Sequence, residues 1–169
     1  MNIVTFTGAV INPLAPDPAA INIEDIAHSL AQQCRFCGHT RMFYSVAEHS
    51  VRCSRIVAAK HRLTALMHDA SEAYLSDIAR PVKHDPEFGA FYREFEQQLE
   101  RVIAEKFGLE HPSPPAVKFA DDVLLRSEQR DLMPNVLRVP GEAYLDYTIE
   151  PWLSAEAESR FLARFFELV

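Results

Sequence analysis

The chain has 169 residues, 48% of them hydrophobic and 24% charged, with 17 Lys and Arg against 24 Asp and Glu for a net charge of −7. That length argues for one domain with a core of its own, and an aromatic content of 10% argues against disorder. The acidic balance excludes general binding to a nucleic-acid polymer, which needs a basic stripe, but leaves room for a small phosphorylated substrate held by two or three local bases.

In chain order, Thr5 to Pro18 reads as a short extended piece and then a proline-rich loop around Gly8, Pro13, Pro16 and Pro18. Asn22 is an N-cap, with Asp25 three residues on and Ile23, Ile26, Ala27 and Leu30 forming one apolar face. Residues 34–44, CRFCGHTRMFY, carry no period and suit a substrate loop between helices. Ser45 and Glu48 have capping-box spacing and open a helix to about Ala59. Arg62 to Tyr74 continues as helix, with Leu63, Leu66, Met67 and Ala70 inward, and Leu75 to Asp85 loops back around Pro81.

Asp85-Pro86 then starts a long helix that ends at Phe107, before Gly108. Ser113-Pro114-Pro115 opens another, which reaches Asp131 and stops by Pro134. Residues 136–150 read as a short strand or irregular chain, and Ser154 caps a last helix with Ala157, Phe161, Phe165 and Leu168 on one side. The fold class is therefore all-α: one domain over 1–169, with five or six main helices and an irregular N-terminal loop. The first twenty residues lack the basic and apolar regions of a signal peptide, and no apolar run is long enough for a membrane span, so a cytoplasmic location is expected.

Chemistry-bearing residues fall inside otherwise apolar helical stretches: His49, the pair His68-Asp69, and Asp121 or Asp122. A bare charge is expensive to bury, so such groups are paired, exposed or bound to metal. Two imidazoles and two carboxylates make a mixed N and O shell for Mn, Fe, Co, Ni or Zn. On a continuous helix Glu72 faces the same way as His68 and Asp69, where it can exchange a proton with nearby water. The blander alternative makes Asp69 and Glu72 a solvated face paired with Arg62 or Arg80. Local positive charge lies on the flanking loops, as Arg35, His39 and Arg41 on one side and Arg80, Lys83 and His84 on the other; arginine and lysine are ordinary phosphate ligands, although for Arg41, Arg80 and His84 surface solubility is the favoured account.

Three cysteines are too few for a secreted disulfide framework. Cys34-x-x-Cys37 with His39 and Cys53 offers a rival structural zinc knuckle, weakened by the lack of a second CxxC pair and by the position of Cys53 on an apolar helix side. Glycine-rich phosphate loops and a nucleophile elbow are missing from the sequence.

The order His49, His68-Asp69, Asp121 resembles the HD-domain metal-dependent phosphohydrolase superfamily, and Asp121 matches better than Asp122 because the family's last ligand sits in an Ala-Asp step like Ala120-Asp121. The segment ALMHDASEAYLSDIARPVK brings the likeness closest to the compact bacterial 5′-deoxynucleotidases and the phage deoxyadenosine triphosphate triphosphohydrolases. It extends over about residues 23–130. The resemblance implies an HD-type helical bundle with one divalent metal on His49, His68, Asp69 and Asp121. It makes Glu72 catalytic with Asp69 sharing the proton handling, places Arg35 and Lys83 on phosphate, and sets Phe36, where the relatives have tryptophan, against sugar or base.

The implied substrate is a deoxynucleoside 5′-monophosphate. A triphosphate, an alarmone or cyclic nucleotide, and a non-catalytic metal-containing sensor or scaffold are the alternatives. A homodimer or larger homo-oligomer is expected from that likeness, from Phe91 and Tyr92, and from the surplus apolar residues of FLARFFELV.

Overall fold

Near the N-terminus the chain doubles back into a small antiparallel hairpin, β1 (Ile3–Val4) and β2 (Val10–Ile11), with Ile3 opposite Ile11. The computed structural model describes residues 2–136 and 138–169. The hairpin is tied down by Asp25, a buried carboxylate that accepts hydrogen bonds from the Thr7 backbone N–H at 2.7 Å and its hydroxyl at 2.9 Å. Asp25 lies in α1 (Ile23–Gln32), and the Asn22 side chain caps that helix by accepting from the Asp25 N–H at 2.8 Å. Ile26, Ala27 and Leu30 are fully buried, as their spacing requires.

Ser45 caps α2 (Val46–Ile56) through the Glu48 N–H. This helix is the centre of the molecule, since every residue from Val46 to Ser54 is buried. It gives Val46, Ala47 and Val51 to one apolar cluster and Cys53 to a second. Helices buried on all sides tend to partner their polar residues. In α2 Glu48 accepts from Arg52 and from the Trp152 N–H and His49 contacts a buried glutamate described below, whereas the Ser50 hydroxyl has no partner among the described residues.

The expected single helix from Arg62 to Tyr74 is broken. Helix α3 (Arg62–Leu66) ends early, residues 67–71 turn, and α4 (Glu72–Leu75) follows. The His68 ring Nδ1 takes the Ala65 carbonyl at 2.8 Å, which a continuing helix would offer to the N–H of Asp69. Tighter bonds replace it, Ala70 N–H to the Met67 carbonyl and Glu72 N–H to the Asp69 carbonyl, each 3.0 Å. Where a loop was expected, Arg80, Pro81, Val82 and Lys83 form α5 (Arg80–Lys83), with proline in the first turn, where its missing N–H costs nothing.

Asp85 is not the cap expected, although its carboxylate accepts from the Glu87 and Phe88 N–H groups. Helix α6 (Phe88–Phe107) has Glu87 at its N-cap, begins two residues after Pro86 and ends at Gly108, whose φ of 66° suits glycine. Gly89 is needed for a different reason, because a Cβ there would lie 2.2 Å from the Lys83 carbonyl oxygen. Helix α7 (Pro115–Leu132) has the expected extent. From Leu132 to Ser154 the described chain is irregular, strapped down by Leu145 N–H on the Ser127 hydroxyl and Ile149 N–H on Asp131.

The final helix, α8 (Ser154–Leu168), packs on α1, α2 and α3 and buries Ala157, Phe161 and Phe165. Ser154 is its first residue rather than its cap, and its hydroxyl is buried without a partner among the described residues. Among the described residues five long α-helices and three short ones thus make a mostly helical fold. Among the described residues no helix is long and apolar enough to cross a membrane.

Candidate metal centre and adjoining cleft

His49 from the middle of α2, His68 and Asp69 from the turn after α3, and Asp121 from α7 converge. His49 Nε2 lies 3.3 Å from His68 Nε2, 3.6 Å from Asp69 Oδ2 and 3.3 Å from Asp121 Oδ1, and His68 Nε2 lies 3.3 Å from Asp69 Oδ1. Ligands about 2.0–2.2 Å from a tetrahedral ion stand about 3.3–3.6 Å apart, and each of these four distances falls in that range, with Asp121 joined to the cluster through His49. Both Nδ1 atoms face elsewhere, His68 to the Ala65 carbonyl and His49 to Glu128 Oε1 at 2.6 Å, so that both Nε2 atoms face the cluster. Among the described residues His49, His68 and Asp69 form a group able to hold a metal ion. Asp122 points away onto Lys118, which also bonds Asp121 Oδ2 at 2.9 Å.

Electrostatics mark the same point. For His49, burial and the Arg35 charge favour the neutral ring, yet the Glu128 charge and hydrogen bonds to Asp121 and Glu128 outweigh them and hold it up at about 9. Burial pushes Asp121 upward, but the bond to His49 and the charges of His49 and His68 keep it far below the usual carboxylate range. With protein groups alone a proton on His49 supplies the positive charge that the cluster demands; a divalent cation fits the same demand.

Behind the donors stands a layer absent from the sequence reading. Glu128, fully buried on α7, accepts from His49 Nδ1, from the Tyr44 hydroxyl at 2.8 Å and from Arg35 Nε at 3.3 Å. Burial raises its carboxyl, and the Arg35 and His49 charges with the two short hydrogen bonds bring it down to about 2. Its signal in the sequence is its spacing, seven residues and two helical turns beyond Asp121 and so on the same face.

A cavity of about 550 Å³ opens beside the cluster and is lined by Asp69 and Asp121 together with Arg35, Phe36, Glu72 and Lys83. All five residues expected at a substrate or proton-transfer role therefore share one cleft. Arg35 Nη1 also reaches Asp69 at 3.5 Å, and Lys83 pairs with Glu96 at 2.6 Å. Phe36 and Cys37 hold left-handed φ values of 55° and 51°, a backbone cost of about 1–3 kcal/mol each, and Phe36 stacks within 5.5 Å of the Arg35 guanidinium. Asp69 and Glu72 are not the solvated pair of the blander reading.

Glu72 reaches the cleft through the tight turn rather than a continuous helix, and its Oε2 is buried with no hydrogen-bond partner among the described residues. Burial first, then the charges of Asp69 and Asp77, hold its carboxyl well above the usual range. Asp77, a second residue the sequence reading missed, lines the same cleft, and burial raises its carboxyl too. His39, Arg80 and His84 also line the cleft, whereas Arg41 does not. Cys34 and Cys37 are exposed while Cys53 is buried beneath the cluster. Burial and the carboxylates around Cys53 push its thiol up, which keeps it protonated.

A second, smaller cavity of about 140 Å³ also borders the centre, along His68, Ser71, Glu100 and Asp121. Burial and Glu96 push Glu100 up to about 7.

No family model matches the chain. The uncharacterized protein YfdR of Escherichia coli (strain K12) is 39% identical over 155 residues, which span 88% of this chain and 84% of YfdR. An uncharacterized protein of Rhodobacter capsulatus is 37% identical over 139 residues, 75% of this chain and 70% of that protein.

Proposed function

This chain belongs to the family that includes the Escherichia coli protein YfdR, and we propose that it is an HD-domain phosphohydrolase, dependent on one divalent metal (Mn, Co, Ni, Fe or Zn) and acting on a nucleotide, preferably a deoxynucleoside 5′-monophosphate. The observation that carries the reading is the convergence of His68, Asp69 and Asp121 on His49 Nε2 at 3.3–3.6 Å beside a cleft whose walls carry Arg35 and Lys83. A phosphate needs local bases whatever the net charge, and Arg35, Arg80 and Lys83 line this cleft next to the donor set.

His49, His68, Asp69 and Asp121 would hold the ion, which supplies Lewis-acid polarisation of a phosphoryl oxygen and activation of water at neutral pH. Arg35 and Lys83 bind the phosphate and offset charge that grows on its oxygens in the transition state. Glu72, kept neutral by burial and like charges, holds a proton at its carboxyl and delivers it to the departing ester oxygen. Asp69 shares the proton handling from its place between the two imidazoles. Phe36, on its strained turn, presents a ring to sugar or base.

The reading extends to action in the cytoplasm and to a homodimer or larger homo-oligomer, supported by Phe88 and Phe91, which α6 leaves exposed. Metal-loaded protein incubated with a panel of nucleoside mono- and triphosphates tests the activity. Inorganic phosphate released from deoxynucleoside monophosphates is the expected result. Tripolyphosphate released from triphosphates instead would move the substrate to the alternative branch, and bound metal without turnover on any nucleotide would leave a sensor or scaffold.

A further inference from the structure

Glu128 is unusual among the buried groups because its two oxygens serve opposite sides of the centre. Oε1 accepts from His49 Nδ1 at 2.6 Å and from the Tyr44 hydroxyl at 2.8 Å, while Oε2 accepts from Arg35 Nε at 3.3 Å. His49 is a donor of the metal cluster; Arg35 lines the substrate cleft and reaches Asp69 with another of its nitrogens. All three contacts span distant parts of the chain, joining α7 to α2 and to the segment before it. A fully buried carboxylate with three donors is rigid, and neither His49 nor Arg35 can turn without breaking a bond to it.

Resting on the function proposed above, we infer that Glu128 is a positioning residue that couples the two halves of the site. It holds His49 in the tautomer with Nδ1 protonated and Nε2 turned to the metal, and it aims the Arg35 guanidinium along the cleft toward phosphate. Outer partners of metal-binding histidines typically contribute about 10–100-fold in metal affinity. Here the same carboxylate also sets the substrate cation, so metal affinity and substrate affinity fall together when it is altered. A carboxylate that only filled the core would change thermal stability and leave both affinities alone.

The test uses zinc as the metal probe, titrated against a chromophoric chelator, on wild-type protein, Glu128→Gln, Glu128→Asp and Tyr44→Phe. Glutamine keeps the shape of Glu128 but presents an NH₂ to one of the three donors. Glu128→Gln and Glu128→Asp are expected to bind zinc about 10–100-fold more weakly and to show a raised KM for the deoxynucleoside monophosphate. Tyr44→Phe, which leaves the bonds to His49 and Arg35 in place, should stay near wild type in both.

Nitrogen NMR of ¹⁵N-histidine-labelled wild-type protein loaded with zinc gives a reading that needs no variant to fold: His49 Nδ1 should carry the proton and Nε2 the metal shift. Wild-type zinc affinity and KM in folded Glu128→Gln, or a zinc-loaded His49 with Nδ1 unprotonated, would overturn the inference while leaving the metal centre intact. A wild-type chain that takes up no zinc would instead overturn the function on which the inference rests.

Discussion

Glu72 and Glu128 are both buried glutamates beside the same donor cluster, and their carboxyl groups are driven in opposite directions. Glu128 accepts three hydrogen bonds, two of them from side chains that carry or attract positive charge, and is held down at about 2. Glu72 has one oxygen with no donor among the described residues and faces Asp69 and Asp77, and it is held well above the usual range. Burial is common to both. Burial alone favours the neutral form of each, and the donors around each group decide whether the charge is kept, so Glu128 is held as a fixed negative anchor while Glu72 is held toward its protonated form.

Removing the cluster between them gives the largest effect. His68→Ala should bring phosphate release below detection with an unchanged far-UV circular dichroism spectrum, because the short α3 ends before His68; near-normal turnover would contradict the ligand set. Next comes Glu72→Gln, expected to lower kcat by about 10²–10⁴-fold while zinc affinity stays at its wild-type value. Steady-state kinetics and a zinc titration on the same sample check it, and they separate the variant from Glu128→Gln, whose loss lies in affinity. A wild-type rate would show that the proton on Glu72 is not used.

The proton on His49 gives a smaller effect with a definite sign. Its pKa rises from an ordinary 6.5 to about 9 in the folded chain, so the folded state binds more protons than the unfolded state between these values. The stability His49 contributes is fully present below about 6.5 and is lost as pH rises through about 9. Chelator-treated protein should therefore lose thermal stability from pH 7 to 9, and zinc uptake near pH 7.5 should release a proton to a weakly buffered indicator dye. Stability that rises over this interval, or uptake without proton release, would contradict the assignment of charge to His49.

Gly89→Ala should have the mildest effect on chemistry. The new Cβ would press on the Lys83 carbonyl, costing about 1–3 kcal/mol of stability and raising KM through the displaced lysine while kcat holds. Differential scanning calorimetry and KM together read it out.

Local signals made much of this legible. The caps at Asn22 and Ser45, the stop at Gly108 and the apolar stripes of α1 and α8 depend on neighbours a few residues away. His49, His68, Asp69 and Asp121 were visible because each is a polar group in an apolar helical stretch. The break after Leu66 was not, since TALMHDASEAY has ordinary helix propensity and only the His68 ring, bonded to Ala65, reveals the competition. Glu128 was hidden for a different reason. In LLRSEQRD it is one acid among several on an amphipathic helix, and its partners lie 79, 84 and 93 residues away. Asp77 followed the end of α4 in what read as a loop, and only the cleft around it gives it a role.

We propose that four side chains from α2, α7 and the turn after α3 hold one divalent ion. Elemental analysis of purified protein after exposure to zinc and removal of excess metal tests it most directly. The expected result is one zinc per chain in the wild type and none in His68→Ala. A wild-type chain that emerges free of metal, or a His68→Ala chain that keeps its full equivalent, would contradict it.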